Sequence, residues 1–593
     1  LPGAKIMTEL EKLRNAKSLS DFASLLGYKP KAFSYILYKI DNEKKYIAFT
    51  IPKKTGGERR IKAPIDQLKT LQKRLAELLN GCFEEIFIKD KHNRSISYGF
   101  RKDHSIIKNA KNHKNKRHVF NIDLQDFFPS INFGRVRGFF IKNVHFQLVP
   151  EVATIIAQIA CHNNELPQGS PCSPVISNLI GHLLDIRMVY LAKKAQCTYT
   201  RYADDLTFST NKKEFPEIIA SQQSLDSKKW IVGKKLKKEI IKVGFIINEN
   251  KTSLQNKTVR QIATGLVVNK KVNIKREYYR KAKSMCHALF QSDQFYIGSK
   301  LISLPANLEK AKSDEVSPDD SIGIVQRKSQ SEEKVLGSIK QLEGILSFIY
   351  QVKQPHYVPK NGEKKVEPTA VTNLYRKFLF YKHYFSLDRP LIICEGQTDI
   401  IYLKCALMQL EKEYTTLIQK TDNGFVFKIQ FLNFTKNLKD VFALPSGTPG
   451  LAKLMDIYKE YMAIYYGNGK KHPVIMLVDN DSGAKEIMRK LKDKDPAKPF
   501  FYYAENLYIV NIPFGDGDED MAIEDLFDKE TLTTKIENKI FNRKKKIDIK
   551  TEYGKTAFAT SVVKANRNKI KFDGFKGIFD LFTEVIEDYK AKN

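Results

Sequence analysis

Cysteine is scarce in this chain. Cys82, Cys161, Cys172, Cys197, Cys286, Cys394 and Cys405 are scattered with no C-x-x-C pair, which argues against zinc ribbons and a disulfide framework and suits a reducing cytoplasm. No long apolar run and no amphipathic basic anchor stands out, so no membrane partner is expected. No secretory signal is recognisable, and Leu1 to Ile6, ahead of Met7, reads as an expression scar. Acids are in deficit too: Asp+Glu number 67 against 100 Lys+Arg, leaving +33. That balance implies a polyanionic partner, and cations spread through the whole chain favour nucleic acid. With 42% apolar residues the chain is globular, and 593 residues exceed a single core, so two to four domains are expected.

What is present centres on Thr200-Arg201-Tyr202-Ala203-Asp204-Asp205-Leu206-Thr207-Phe208. Two β-prone runs flank the adjacent carboxylates, which predicts strand, tight turn, strand with Asp204 and Asp205 at the tip. Neighbouring carboxylates repel and persist most easily beside hard divalent cations; a solvated Asp-Asp turn is the plain alternative. Upstream, the β-prone Val119 to Leu124 carries Asp123, followed by the Phe127-Phe128 pair. Between them, Leu166-Pro167-Gln168-Gly169-Ser170-Pro171 is a loop that opens an apolar helical pattern.

An isolated Asp after one strand, a Gln-Gly loop before a helix and an Asp-Asp hairpin, in that order, resemble the palm of a reverse transcriptase. The resemblance implies that Asp123, Asp204 and Asp205 hold two Mg²⁺ ions, and that Phe128 lies against the sugar of the incoming deoxynucleoside triphosphate and excludes a 2′-hydroxyl. Gln168 and Gly169 join the substrate site. The stretch Phe49 to Pro64 alternates, turns on Gly56-Gly57 and alternates again, a basic hairpin; in the family it is the fingers hairpin, with Lys53 and Arg59 as candidates for phosphate contact. A basic hairpin can equally be a solvated surface.

Asn109-Ala110-Lys111-Asn112-His113 matches the N-A-x-x-H string of retron reverse transcriptases, and Ala263-Thr264-Gly265 stands where that family carries V-T-G, with Ala for Val. Asn109, His113, Thr264 and Gly265 are therefore RNA-contact candidates. Together they favour a retron enzyme over a maturase or a telomerase-like protein, and no His cluster of the HNH type accompanies them. The resemblance implies a cognate noncoding RNA as template and primer, and a branched DNA product. From Asn273 to Phe290, Tyr278, Tyr279, Arg280, Lys281 and Lys283 interleave rings with cations, as in a thumb helix on a duplex backbone or in an ordinary amphipathic helix.

Beyond a Pro- and Lys-rich stretch the pattern becomes alternating strands and helices, an α/β unit with a parallel sheet. Pro390 to Cys394 ends in Glu395-Gly396, Thr398-Asp399 opens a helix, and Val474 to Val478 ends in Asp479-Asn480-Asp481. Acids at the ends of parallel strands lie where open α/β sheets place ligands. This arrangement resembles a Toprim domain of the nuclease branch, with Phe442 to Gly447 as its intervening strand and glycine turn. Glu395, Asp479 and Asp481 are then catalytic metal ligands for Mg²⁺ or Mn²⁺, joined by Asp399, Glu524 and Asp525; a Toprim fold retained as a non-catalytic scaffold is the alternative.

The expected fold is multidomain, α+β then α/β: a right-hand polymerase of fingers, palm and thumb, then a Toprim Rossmann-like domain. The boundaries are a helical cap over 1–45, fingers and palm over 46–265, and a thumb with a polar insertion over 266–353. A linker over 354–387 leads to the Toprim domain with a basic C-terminal extension over 388–593. A capping box is expected at Ser18 to Asp21. Homo-oligomerisation is left open.

Overall fold

A computed structural model describes residues 7–53, 57–88, 96–223, 230–303, 330–353, 367–480, 484–491, 500–513, 521–544 and 546–593. The chain divides into two compact units, Leu1–Lys275 and Arg276–Asn593.

The first unit opens with short helices. Ser18 caps Leu19–Leu25 by accepting from the Asp21 amide while Asp21 accepts from Ser18 N–H, the box its sequence announced. Leu13, Phe22 and Phe33 sink completely into the same core as Phe120, Ile122 and Phe208, so residues 8–40 are one flank of the unit. The hairpin β1 (Tyr46–Pro52) and β2 (Glu58–Pro64) pairs Pro52 with Glu58. Helix α1 (Ile106–Lys111) follows, then β3 (His118–Gln125), helix α2 (Ser173–Ala195), β4 (Thr198–Tyr202) and β5 (Asp205–Thr210).

Strand β3 lies antiparallel to β5, which pairs in turn with β4; Ile246–Ile247 and Ser253–Asn256 line the other edge of β3. Alternation divides this palm sheet. Phe120, Ile122, Leu206 and Phe208 are buried on one face, whereas Asn121, Asp123, Asp205 and Thr207 share the other. Helix α2 is long and apolar enough to cross a membrane, against the expectation of no such run. However, 67% of its apolar window is buried against the sheet and neighbouring helices.

The buried face carries an exception to its hydrophobic pattern. Arg201, on the core side of β4, is 0% exposed and forms a two-pronged pair with Asp185 of α2, Nε to Oδ1 and Nη2 to Oδ2 both at 2.8 Å. Tyr199 donates to the same carboxylate at 2.8 Å. A Cβ at Gly181, one turn before Asp185, would meet the guanidinium at 2.8 Å, so glycine makes the room.

The N-A-x-x-H string is structural where an RNA contact was expected. Asn109 and His113 are buried; His113 Nδ1 lies 2.7 Å from Ser209 Oγ and Nε2 2.7 Å from Thr200 Oγ1, tying β5 to β4. Asn109 donates to Thr264 Oγ1 at 3.4 Å. Thr264 and Gly265, both with positive φ (47° and 82°), form the two-residue turn between Ile262–Ala263 and Leu266–Val267, the geometry of a type I′ hairpin. Ala263, the residue before that turn, is fully buried in protein. Gly265 alone of the four is exposed.

The second unit begins with helix α3 (Arg276–Ser292) and contains a hairpin of Tyr296–Ser303 with Gln330–Leu336 and a helix Ile339–Lys353; of the polar insertion, expected over Ser313 to Glu333, residues 313–329 lie outside the described residues and Gln330 to Glu333 belong to the hairpin strand. Of the segment read as a linker, Ala370–Phe380 is helix α4, continued by a wider turn over Tyr381–Phe385, and each buries one face. Lysines and prolines of 354–369 suggested a tether, but Val371, Tyr375, Phe378 and Leu379 repeat at helical spacing and pack. Phe290 of α3 rests on Tyr381 and Tyr465. At the end of α3, Asp293 accepts from Tyr381 OH at 2.6 Å and from the Asn468 amide.

Strands β6 (Leu391–Ile393), β7 (Gln430–Phe431), β8 (Val474–Val478), β9 (Phe500–Ala504) and β10 (Leu507–Asn511) form one sheet in the order β7-β6-β8-β10-β9, parallel except for the edge strand β9. The expected strand at Phe442 to Gly447 does not form: Phe442 ends a helix, Ala443 caps it with φ 53°, and Gly447 caps helix α5 (Thr448–Met462). The strand in that place is β7, only two residues long.

Burial holds His113 neutral, pushed down to about 3 from an ordinary 6.5. The unfolded chain therefore takes up this proton first, and the stability involved is whole above pH 6.5 and drains as pH falls towards 3. In chemical unfolding at pH 7 and pH 5, wild type should lose about 2 kcal/mol more than His113→Gln. Equal acid sensitivity in the two proteins would assign the effect elsewhere.

Candidate active sites

Three carboxylates meet at the end of the palm sheet. Asp123 is the direct cross-strand partner of Asp205, which puts their Cα atoms about 5 Å apart on one face. Asp204 lies in the two-residue turn between β4 and β5, its carbonyl accepting from Leu124 N–H at 3.0 Å, and Ala203 holds a positive φ of 54° to make that turn. Burial, then Asp123, raises Asp204 above the usual carboxylate range. Asp205 opens to solvent on one side, yet desolvation on the other, with Asp204 and Asp123 beside it, pushes it up to about 7. Mutual repulsion of this kind is what a bound cation relieves.

Asp123 itself is engaged. Lys251 donates to Oδ1 at 3.1 Å and to Oδ2 at 3.2 Å, and Asn248 Nδ2 donates to Oδ1 at 3.1 Å. Neither residue was singled out by the sequence, although Asn248 and Lys251 sit one helical turn apart after the strand that pairs with β3. Among the described residues, no three Asp, Glu, His or Cys side chains are drawn together into a finished metal cage. The donor set nevertheless suits Mg²⁺, which takes few carboxylates and keeps positions for water and phosphate.

The remaining palm candidates surround this point. Phe127 is buried and stacked on Phe245, while Phe128 is half-buried against Phe127 and Phe100. Gln168 accepts from Lys62 N–H at 2.8 Å, so the Gln-Gly loop is stitched to β2 of the fingers hairpin. Gly169 has φ 125° and a Cβ there would meet Lys62 O at 2.5 Å, so only glycine allows the approach. Lys53 and Arg59 are exposed at the hairpin.

The second unit holds another acidic group at the C-terminal ends of its parallel strands. Desolvation and then the charges of Glu395, Asp399 and Glu524 push Asp479 up to about 8, so the three acids lie within electrostatic reach of it. Glu395 accepts from Thr448 Oγ1 at 3.0 Å, at the start of α5. Asp399 accepts from Gly396 N–H at 2.8 Å and so also caps its helix. Glu524 is fully buried and pairs with Lys555 at 2.9 Å, a cation that the sequence left unmarked. Asp525, expected among the ligands, is elsewhere: it accepts from Ala522 N–H and is paired with Arg543 at 2.6 Å, because its place at the third position of a helical turn makes it the cap. Asp481 lies outside the described residues.

The palm with its acid turn defines the class. Residues 51–266 match the family model described as reverse transcriptase (RNA-dependent DNA polymerase). The chain is 34% identical over 277 residues to the retron Ec86 reverse transcriptase of Escherichia coli, covering 46% of this chain and 78% of that protein. It is 31% identical to the retron Mx162 and Mx65 reverse transcriptases of Myxococcus xanthus, over 275 and 263 residues. Those matches cover 44% and 42% of this chain and about half of each relative, 54% and 57%. The chain belongs to the retron reverse transcriptase family.

Asp205→Asn removes one of three mutually repelling carboxylates. Primer extension should fall at least about a thousandfold while the melting temperature stays level or rises. A fall in both would mean that the acid is structural.

Proposed function

We propose that this chain copies part of its own structured noncoding RNA into branched, multicopy single-stranded DNA, and that its C-terminal α/β domain is a Toprim-type, metal-dependent nuclease acting in antiphage defence. Reverse transcriptases use divalent metal ions, generally Mg²⁺, and act on RNA templates. The observation that carries the polymerase half is the register that sets Asp123 opposite Asp205 beside Asp204. Bound there, two Mg²⁺ ions would activate the attacking hydroxyl and steady the pyrophosphate leaving group. The chain's own part is positional: β3 and β5 present the carboxylates, Lys251 and Asn248 orient Asp123 by hydrogen bonds, and Phe128 borders the space in which a deoxyribose would sit. Lys53 and Arg59 supply phosphate contacts from the fingers hairpin, and the cations of α3 grip the duplex backbone.

For the nuclease, support comes from Glu395 and Asp479 following the C-terminal ends of the parallel strands β6 and β8, where such sheets bind ligands, with Asp399 and Glu524 within electrostatic reach of Asp479. They are oxygen donors suited to Mg²⁺ or Mn²⁺, and Asp481 is proposed to join them. The Lys555 ammonium favours a second reading, in which it neutralises Glu524 without a metal and the domain is a non-catalytic scaffold for the RNA–DNA product. Seven free thiols accord with a reducing cytoplasm.

Glu395→Ala in cells should abolish defence or toxicity and leave the branched DNA at wild-type amounts, read by gel and by phage plating. Purified wild type should cleave nucleic acid only with Mg²⁺ or Mn²⁺, and Asp479→Ala should lose this by at least about a hundredfold. Cleavage unchanged in Asp479→Ala, or defence unchanged in Glu395→Ala, would leave the scaffold reading standing.

A further inference from the structure

A charge buried on the wrong face of a strand needs a reason. Alternation along β4 assigns position 201 to the core, where Tyr199 lies, and a hydrophobic residue would be less costly there than a guanidinium with its counter-ion. The first unit nevertheless builds a socket for it. Asn178, Gly181 and Asp185 lie on one face of α2 at helical spacing. Asp185 takes two prongs of Arg201, Gly181 leaves the space, and Asn178 is 3.5 Å from Nη1.

Two of the three guanidinium nitrogens go to Asp185, and the third goes to the catalytic turn. Nη1 donates to the carbonyl of Ala203 at 3.2 Å, the residue that holds a positive φ immediately before Asp204 and Asp205. A left-handed alanine is unfavourable by about 1–2 kcal/mol and survives only when its surroundings fix it. Those surroundings are the same network. Asn178 accepts from Ser97 Oγ at 2.7 Å and donates to Gly99 O at 2.8 Å, and a Cβ at Gly99 would strike the Ala203 amide nitrogen at 2.7 Å. The turn is thus gripped from beneath by Arg201 and from the side by Gly99.

We propose that Arg201, anchored by Asp185, is a positioning residue for DNA synthesis: its hydrogen bond to the Ala203 carbonyl fixes the turn and thereby the direction in which Asp204 and Asp205 present their carboxylates to the metal-bound substrate. The role rests on the polymerase reading of the three aspartates. It differs from plain stabilisation because the bond ends on the backbone of the catalytic turn, and it differs from catalysis because Arg201 is sealed from any substrate.

The test is primer extension by the full-length protein on an RNA template with a DNA primer, in steady state and across a Mg²⁺ titration. Arg201→Lys keeps a charge for Asp185 but cannot hold Asp185 and Ala203 together. It should lower kcat about 10- to 100-fold, move KM for deoxynucleotide less than about threefold, and raise the Mg²⁺ needed for half-maximal rate. Gly181→Ala displaces the guanidinium and leaves every charge in place; it should give the same signature in smaller degree and serves if Arg201→Lys fails to fold. Leu13→Ala, a cavity in the N-terminal helices, is the control for lost stability alone and should retain wild-type kcat per folded molecule. Wild-type kcat and Mg²⁺ dependence in a folded Arg201→Lys or Gly181→Ala protein would overturn the proposal, as would an equal kcat loss in Leu13→Ala. A wild-type chain unable to extend the primer would instead remove the polymerase reading on which the role rests.

Discussion

Register between β3 and β5 is the constraint on which the palm depends. A pair of antiparallel strands repeats its faces every two residues, so a slip of one position would turn Asp123 into the core and Ile122 into the cleft. Hydrophobic burial of Phe120, Ile122, Leu206 and Phe208 therefore does more than stabilise the sheet. It sets three repelling carboxylates side by side and prevents the sheet from relieving the repulsion by sliding. Apolar area on one face holds the electrostatic strain of the other.

Polar ties then fasten what burial aligns. His113 bridges the hydroxyls of Thr200 and Ser209 on the neighbouring strands β4 and β5, and being neutral it offers one donor and one acceptor, so the two hydroxyls are held in opposite roles. Arg201 and Asp185 do the corresponding work on the opposite face of the sheet. Removing either member of such a buried pair strands the other, at a cost of about 3–5 kcal/mol. Buried polar groups of this kind contribute little net stability but give the sheet one geometry.

Much of this was legible in the residues. The Ser18 to Asp21 capping box, the acid hairpin and the alternating strand around Asp123 rest on local rules, and local rules hold where the partner is only a few residues away. The retron string at Asn109 to His113 was visible, yet its role was misjudged: polar residues on a short helix read as surface, and only the fold shows hydroxyl partners waiting in β4 and β5. Arg201 had a signal that was passed over, an arginine breaking the period-two pattern of its strand, matched by the helical spacing of Asn178, Gly181 and Asp185. Lys251 and Lys555 had none, because one lysine among 100 basic residues is distinguished only by the carboxylate it meets. The helix at Ala370 is obscured by composition, because a stretch rich in prolines and lysines immediately precedes its apolar repeat.

That helix alters how the C-terminal unit transmits force. Phe290 and Asp293, at the far end of the cationic helix Arg276–Ser292, are seated among Tyr381, Tyr465 and the loop at Asn468. Slack chain absorbs a pull, whereas interlocked rings pass it on. A pull on the helix at Arg280 or Lys283 would travel as in a splint, through those aromatic residues into the sheet whose strands end at Glu395 and Asp479.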